Sequence, residues 1–191
     1  ALVETWFKRP LGASYQEKLT QLISDCVDEA LKNDTIEVIS EFSLPLQSRA
    51  LTLLLNIPFE EAETWISWGT HVFRSEESAL DADKANILYD YIDRQIDNAI
   101  ENPGDDLYSV LLASEVEGRK LTREEVKGVM ILTFAGGRDT VINTVTNTIA
   151  YLSTHSEALR RFAEEPEIIV KSVEELIRYF SPLTHMGRVV T

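Results

Sequence analysis

The run Ala135-Gly136-Gly137-Arg138-Asp139-Thr140 interrupts a stretch that is otherwise apolar, with Val129, Met130, Ile131, Leu132 and Phe134 before it. Two glycines inside a helix cost roughly 1 kcal/mol each relative to alanine. They remove side-chain bulk and let something approach the backbone closely. An acid and a β-branched hydroxyl follow at once, and a threonine at Thr140 is placed to bond the carbonyl four residues back, which bends a helix. Together these residues make a groove with a hydroxyl and a carboxylate beside it. Close helix–helix packing across the glycines, with Asp139 and Thr140 as satisfied polar groups, accounts for the same residues without chemistry.

A second pattern is Glu174-Glu175-Leu176-Ile177-Arg178, where Glu175 and Arg178 stand three apart on one helix face and can form an ion pair. Such pairs also decorate ordinary solvated helices. The lone cysteine, Cys26, excludes an internal disulfide and falls in an apolar helical stripe, where it reads as a small buried hydrophobe. His71, His155 and His185 are the only imidazoles, and none stands in a ligand pattern, so no metal site is read from these residues.

The elements that must position these residues are helical. Leu19, Leu22, Ile23, Cys26, Val27, Ala30 and Leu31 follow the helical spacing between Ser14 and Lys32. A second helical region spans Ile36 to Leu55, with Ser43 a candidate N-cap and Pro45 near a first turn, and Asn56-Ile57-Pro58 closes it. Phe59 to Arg74 carries Trp65, Trp68 and Val72 on one face, and Lys84 to Glu101 carries Ile87, Leu88, Tyr91, Ile92, Ile96 and Ala99. A short helix at Leu107–Ser114 and a turn or small hairpin around Gly118 follow the turn at Asn102-Pro103-Gly104-Asp105. Thr122 with Glu125 forms a capping box, and the helix it opens is predicted to run to about Ser153, some ~45 Å at 1.5 Å per residue. Two more helices are predicted, Ser156–Glu164 and Pro166–Phe180, the last stopped by Pro182. Arg188-Val189-Val190-Thr191 reads as the opening of a strand.

With 191 residues, 44% apolar and 26% charged, the chain has the composition of a soluble globular protein, and residues 1–191 read as a single, mainly α domain. A net charge of −14 argues against a nucleic-acid partner, which needs a basic footprint. The longest apolar runs, such as Leu53-Leu54-Leu55, are far too short to span a membrane. The reducing cytoplasm is the expected compartment. The absence of a starting methionine and the ending in what reads as a strand lead us to expect a piece of a longer chain.

A glycine-glycine-acid-threonine kink in a long helix, followed by a Glu-x-x-Arg helix, resembles the cytochrome P450 family. Phe134 to Val145, the Pro166 region and Arg178-Tyr179-Phe180-Ser181-Pro182-Leu183 are similar to soluble bacterial members, with the camphor-hydroxylating type the nearest in pattern. The resemblance extends back to about Ser14 and implies the helical portion of the P450 fold, from roughly the C/D helices through the K helix. The long helix would be the oxygen-binding I helix.

It further implies haem as cofactor, O₂ and a small organic substrate, and an electron-transfer partner of ferredoxin or flavoprotein type. Ala135, Gly136 and Gly137 would border the oxygen pocket, Thr140 would hydrogen-bond oxygen or its ordered water, and Asp139 would relay protons. Glu175 and Arg178 would be structural, Arg188 would hold a haem propionate, and Leu183, Thr184 and Met186 would lie near substrate. The segment Phe59–Lys84 resembles the lid over the pocket, in which Trp65, Trp68 and Phe73 could face substrate, although core packing suits the tryptophans better.

Arg138 departs from the small or apolar residue more usual before the acid. The larger departure is the axial thiolate, whose electron donation favours O–O cleavage in this family. Cys26 lies in no glycine-rich loop, so the chain alone is expected to be inactive. Uncovered apolar surface would then offer a route to self-association. The competing reading is a helical binding or scaffold domain, or a degenerate P450 that no longer holds haem.

Overall fold

The helical periodicity is realised in the computed structural model, whose described residues are 3–70 and 82–183. Ten α-helices run through them: α1 Glu4–Phe7, α2 Ala13–Ala30, α3 Leu44–Leu55, α4 Glu61–Ser67, α5 Ala82–Glu101, α6 Leu107–Ala113, α7 Arg123–Gly137, α8 Asp139–Thr154, α9 Ser156–Glu164 and α10 Ile169–Phe180. The only strands among the described residues are β1 Glu115–Val116 and β2 Arg119–Lys120, an antiparallel pair in which Glu115 faces Lys120. Glu117 and Gly118 both take positive φ (53° and 78°) at its turn, the arrangement that matches the right-handed twist of a two-residue hairpin.

The chain divides into two units, 1–138 and 139–191. In the first, α5 and α7 pack face to face beside α3, α4 and α6, and their apolar stripes close one core around Leu55, Trp65, Leu88, Ile92, Ile96 and Met130. Trp65 sits edge-on to both Phe134 and Tyr91, with ring centroids 5.1 and 6.1 Å apart. Such aromatic pairs add to the area they bury. Ion pairs join α5 to α7 on the outside, Asp93 to Lys127 and Asp97 to Arg123. In the second unit α8 packs against α9 and α10.

Local chemistry sets several boundaries. Thr122 accepts from the Glu125 amide at 3.3 Å while the Glu125 carboxylate accepts from the Thr122 amide at 2.8 Å, completing the capping box that opens α7. Asp106 caps α6 by accepting from the Ser109 amide at 3.0 Å. Asn56 ends α3 in the left-handed region (φ 56°), a conformation asparagine tolerates.

Four sequence expectations are corrected. Ser43 is not an N-cap: it has helical dihedrals (φ −65°, ψ −41°) at the end of a π turn, Ile39–Ser43, that leads straight into α3. Ile87 is exposed, so the buried stripe of α5 starts at Leu88. The helix expected from Phe59 is ordered as α4 only over Glu61–Ser67, and Val72 to Arg74 lie outside the described residues. The helix expected to run to about Ser153 with a bend at its middle is interrupted outright at Arg138 (φ −104°, ψ −79°), which divides it into α7 and α8. The strand read at Arg188–Thr191 lies outside the described residues, as do Phe73, His71 and His185.

Candidate active site

The interruption of the long helix has side-chain causes. Gln47, on the buried face of α3, donates its Nε2 to the Gly137 carbonyl at 2.9 Å, drawing off an acceptor at the helix end. The Arg138 side chain turns into the first unit and is only 1% exposed. Its guanidinium donates to the Trp65 carbonyl at 2.6 Å and to the Gly69 carbonyl, at the C-terminal end of α4. Hydroxyls also draw on ladder carbonyls: Thr133 donates to the Val129 carbonyl and Thr144 to that of Thr140, at 2.9 and 2.7 Å. The kink anticipated from the two glycines therefore lies one residue beyond them.

On the other face of α7 the first unit opens an apolar cavity of about 450 Å³. Val129, Leu132, Thr133, Gly136 and Gly137 form one wall, and Val3, Phe7 and Leu54 face them. The Trp6 indole, donating to the Leu54 carbonyl at 2.8 Å, holds the α1 wall to α3. Leu132 is 73% exposed, an unusual position for a leucine beside a core. A Cβ built on Gly136 meets no heavy atom within 4 Å, whereas one on Gly137 comes to 3.9 Å from Leu51. Gly136 thus keeps its surface bare towards open space, which suits the close approach of a large flat apolar group.

The second unit begins with Asp139 and Thr140 in the first turn of α8, both half-buried. A carboxylate there is favoured by the helix dipole. On α10 Arg178 forms a bidentate pair with Glu175, Nε to Oε2 at 2.7 Å and Nη2 to Oε1 at 2.6 Å. The Arg178 guanidinium holds the Glu175 carboxyl below its usual range. Both side chains are exposed.

Leu183, just after Pro182, is also exposed. Thr184, Met186 and Arg188 fall outside the described residues. Trp65 is fully buried in the core and Trp68 packs edge-on against Tyr91 at 5.2 Å, so both are packing residues. Cys26 is buried with the Arg49 guanidinium 3.6 Å from its sulfur, as a small core residue. Among the described residues no cluster of His, Cys, Asp and Glu is arranged to hold a metal ion, and no helix is long and apolar enough to cross a membrane.

Sequence reasoning missed Gln47 and the anchoring role of Arg138. The available signals were a polar side chain among Leu44, Ser48 and Leu51 on a buried helix face, and a long cation inside an apolar run.

The chain is similar to known proteins along its length. The family model described as cytochrome P450 matches residues 58–181. The chain is 29% identical over 185 residues to the biotin biosynthesis cytochrome P450 of Bacillus subtilis, covering 93% of this chain and 47% of that protein. A solved structure described as a carbohydrate active P450 superposes with a TM-score of 0.95 at 73% identity, covering 100% of this chain and 49% of that one. CYP109E1 from Bacillus megaterium, solved in complex with testosterone, superposes at 0.75 with 28% identity, covering 94% of this chain and 50% of its own. The chain spans about half the length of the relatives it matches.

Proposed function

This chain belongs to the cytochrome P450 family, and from that premise we propose that it forms the distal side of a haem monooxygenase that oxidises a small organic substrate with O₂. The family's cofactor is haem. When bound, its thiolate-ligated iron supplies the activation of O₂ that no side chain in this sequence can perform. The observation that carries the reading is the bare Gly136 surface on the wall of the apolar cavity, beside Ala135, which is itself exposed.

The chain's own residues then divide the work. Ala135, Gly136 and Gly137 leave room over the cofactor face, and Leu132 and Val129 exclude water from it. Thr140, in the first turn of α8, offers a hydroxyl that accepts and donates, and so holds a water or O₂ in place. Asp139 beside it takes protons from solvent and hands them inward, the supply that a dry site otherwise lacks. Glu175 and Arg178 are structural, fixing the face of α10. Leu183, Thr184 and Met186 lie near substrate, and Arg188 holds a haem propionate. Cys26, buried in α2, is not the iron ligand, so the thiolate is supplied from outside these 191 residues and the chain alone is inactive. The working protein is cytoplasmic and draws electrons from a ferredoxin or flavoprotein partner.

The substrate is a carbohydrate or a sugar derivative, a reading supported by the 73% identity to the carbohydrate active P450. Two measurements on the complete protein test the proposal. Reduction under carbon monoxide should give the red-shifted Soret band of a thiolate-ligated ferrous haem, and its absence overturns the monooxygenase reading. Titration with a panel of neutral sugars should shift the haem spectrum where steroids do not. The reverse preference overturns the substrate class alone.

A further inference from the structure

Where α4, α5 and α7 meet, four rings form one cluster. Trp65 stands edge-on to Tyr91 and Phe134, Tyr91 stands edge-on to Phe134 at 6.1 Å, and Trp68 stands edge-on to Tyr91 at 5.2 Å. Packing asks only for the shape and apolar area of these rings. Trp65, Tyr91 and Trp68 are also among the side chains that most readily give up a single electron. Rings in edge contact exchange electrons quickly, so these three share the hole that a lost electron leaves. Trp65 and Tyr91 are nearly inaccessible to water, whereas Trp68 is half-buried and carries the cluster towards the surface.

Where the hole rests depends on where a proton can go. A phenol that has lost an electron is a strong acid, and its positive charge is costly in a dry site. It becomes a neutral phenoxyl when a base stands within hydrogen-bond reach. The Tyr91 hydroxyl donates to Glu61 Oε2 at 2.8 Å, in the first turn of α4. Glu61 is only half-buried, so a proton received there has a way out to solvent. Until oxidation the phenol keeps its proton: burial first, then the neighbouring Tyr108 phenol and the Glu61 carboxylate, hold it above the ordinary tyrosine range. Tyr108 supplies the contrast, being 1% exposed with a hydroxyl that makes no hydrogen bond.

We propose that Tyr91 is a one-electron redox site: an oxidant draws an electron from the Trp65–Tyr91–Trp68 cluster, the Tyr91 O–H proton passes to Glu61, and the hole rests on Tyr91 as a neutral tyrosyl radical. One electron goes to the oxidant and one proton to the carboxylate, which becomes a carboxylic acid hydrogen-bonded to the phenoxyl oxygen. An electron returned by a reductant reverses both moves. The oxidant is a one-electron acceptor of the class to which oxidised haem belongs, and in that clause alone the inference rests on the monooxygenase reading. Phe134, which touches Trp65 and Tyr91, stands two residues before Gly136 on α7. The cluster thus drains oxidising equivalents that meet no substrate.

The test oxidises the complete protein with a photogenerated ruthenium(III) polypyridyl complex, a one-electron oxidant that needs no haem, and reads the frozen sample by high-field EPR. The unaltered protein should give a tyrosyl signal whose g-values mark a hydrogen-bonded phenoxyl. Tyr91→Phe should lose it and leave an indolyl signal, while Tyr108→Phe should keep it. In Glu61→Gln, whose amide takes up no proton, the tyrosyl yield should fall at least about tenfold, because a positioned base is worth roughly a hundredfold or more in rate.

The same hydrogen-bonded tyrosyl in Tyr91→Phe, or an undiminished yield in Glu61→Gln, overturns the proposal. Should Glu61→Gln fail to fold, the unaltered protein in D₂O decides: its yield should fall, and a yield equal to that in H₂O overturns the proton transfer. Peroxide added to the substrate-free, haem-loaded protein should raise the same signal. If the photochemical signal appears without the peroxide one, the haem reading fails and the Tyr91 site stands.

Discussion

Gly136 separates folding from cofactor binding at a single position. A Cβ added there meets nothing within 4 Å, so the Cβ of Gly136→Val has open space within the chain. Removing a glycine from a helix end also trims the entropy of the unfolded chain, by up to about 1 kcal/mol. The methyls project from a wall of the apolar cavity, where the proposed cofactor face would lie. Compared haem-free, Gly136→Val is therefore expected to melt at or slightly above the temperature of the unaltered protein, while taking up haem poorly when it is offered. Calorimetry on the haem-free proteins and the ratio of haem to protein absorbance after loading read the two, and normal haem content would remove Gly136 from the site. Thr140→Ala should act differently. Haem uptake should stay the same, but a several-fold larger share of the consumed electrons should appear as hydrogen peroxide instead of product, if Thr140 holds water as proposed. Unchanged coupling would assign Thr140 to the helix alone. The proposed roles of these residues start from sequence, because glycine, acid and hydroxyl announce themselves by type. The anchoring role of Arg138 does not, because its partners are backbone carbonyls at Trp65 and Gly69, far away in sequence and carrying no side-chain signature.

At the scale of elements, what could be read was whatever neighbours in sequence decide. The capping box at Thr122, the hairpin turn at Glu117-Gly118, and helix α9 with its bounds at Ser156 and Glu164 are all local, and all are present. A bend in the long helix was readable from Gly136, Gly137 and Thr140, but its break at Arg138 was not, because Gln47 and Arg138 make their contacts there only in the folded chain. The π turn before α3 escaped because Pro45 and Ser43 are equally at home in an ordinary helix start. Thr122→Ala should destabilise the protein by about 1 kcal/mol, read as a lower urea midpoint with an unchanged slope. The α5–α7 contact gives a pH dependence. The Lys127 ammonium, followed by the Arg123 guanidinium, holds the Asp93 carboxyl below its usual range. Its pKa is lower folded than unfolded, so this contact stabilises the protein above the ordinary aspartate pKa and the benefit is lost as pH falls through the folded value. Asp93→Asn should cost up to about 1 kcal/mol near pH 7, as half-exposed ion pairs do. Near pH ~3 the gap to the unaltered protein should be smaller. Urea midpoints at the two pH values check this, and a gap that widens in acid would contradict it.

The whole chain carries its buried apolar surface unevenly. The core of residues 1–138 includes Leu55, Trp65, Leu88, Ile92, Ile96 and Met130, all nearly inaccessible to water. In residues 139–191, the buried hydrophobic side chains among those described are Ile142 and Leu176, while Val170, Tyr179 and Leu159 are exposed. Among the described residues the second unit therefore has few side chains that close a core, whereas the first unit has a contiguous one. Residues 1–138 expressed alone should therefore unfold in urea as a single sigmoidal transition with dispersed amide resonances. Residues 139–191 alone should show a broad, gradual loss of helical signal, and their exposed apolar side chains should make sedimentation depend on concentration. A sharp transition in the shorter piece would mean that α8, α9 and α10 close a core of their own. A gradual one in the longer piece would mean that the packing of α5 on α7 depends on residues after Arg138.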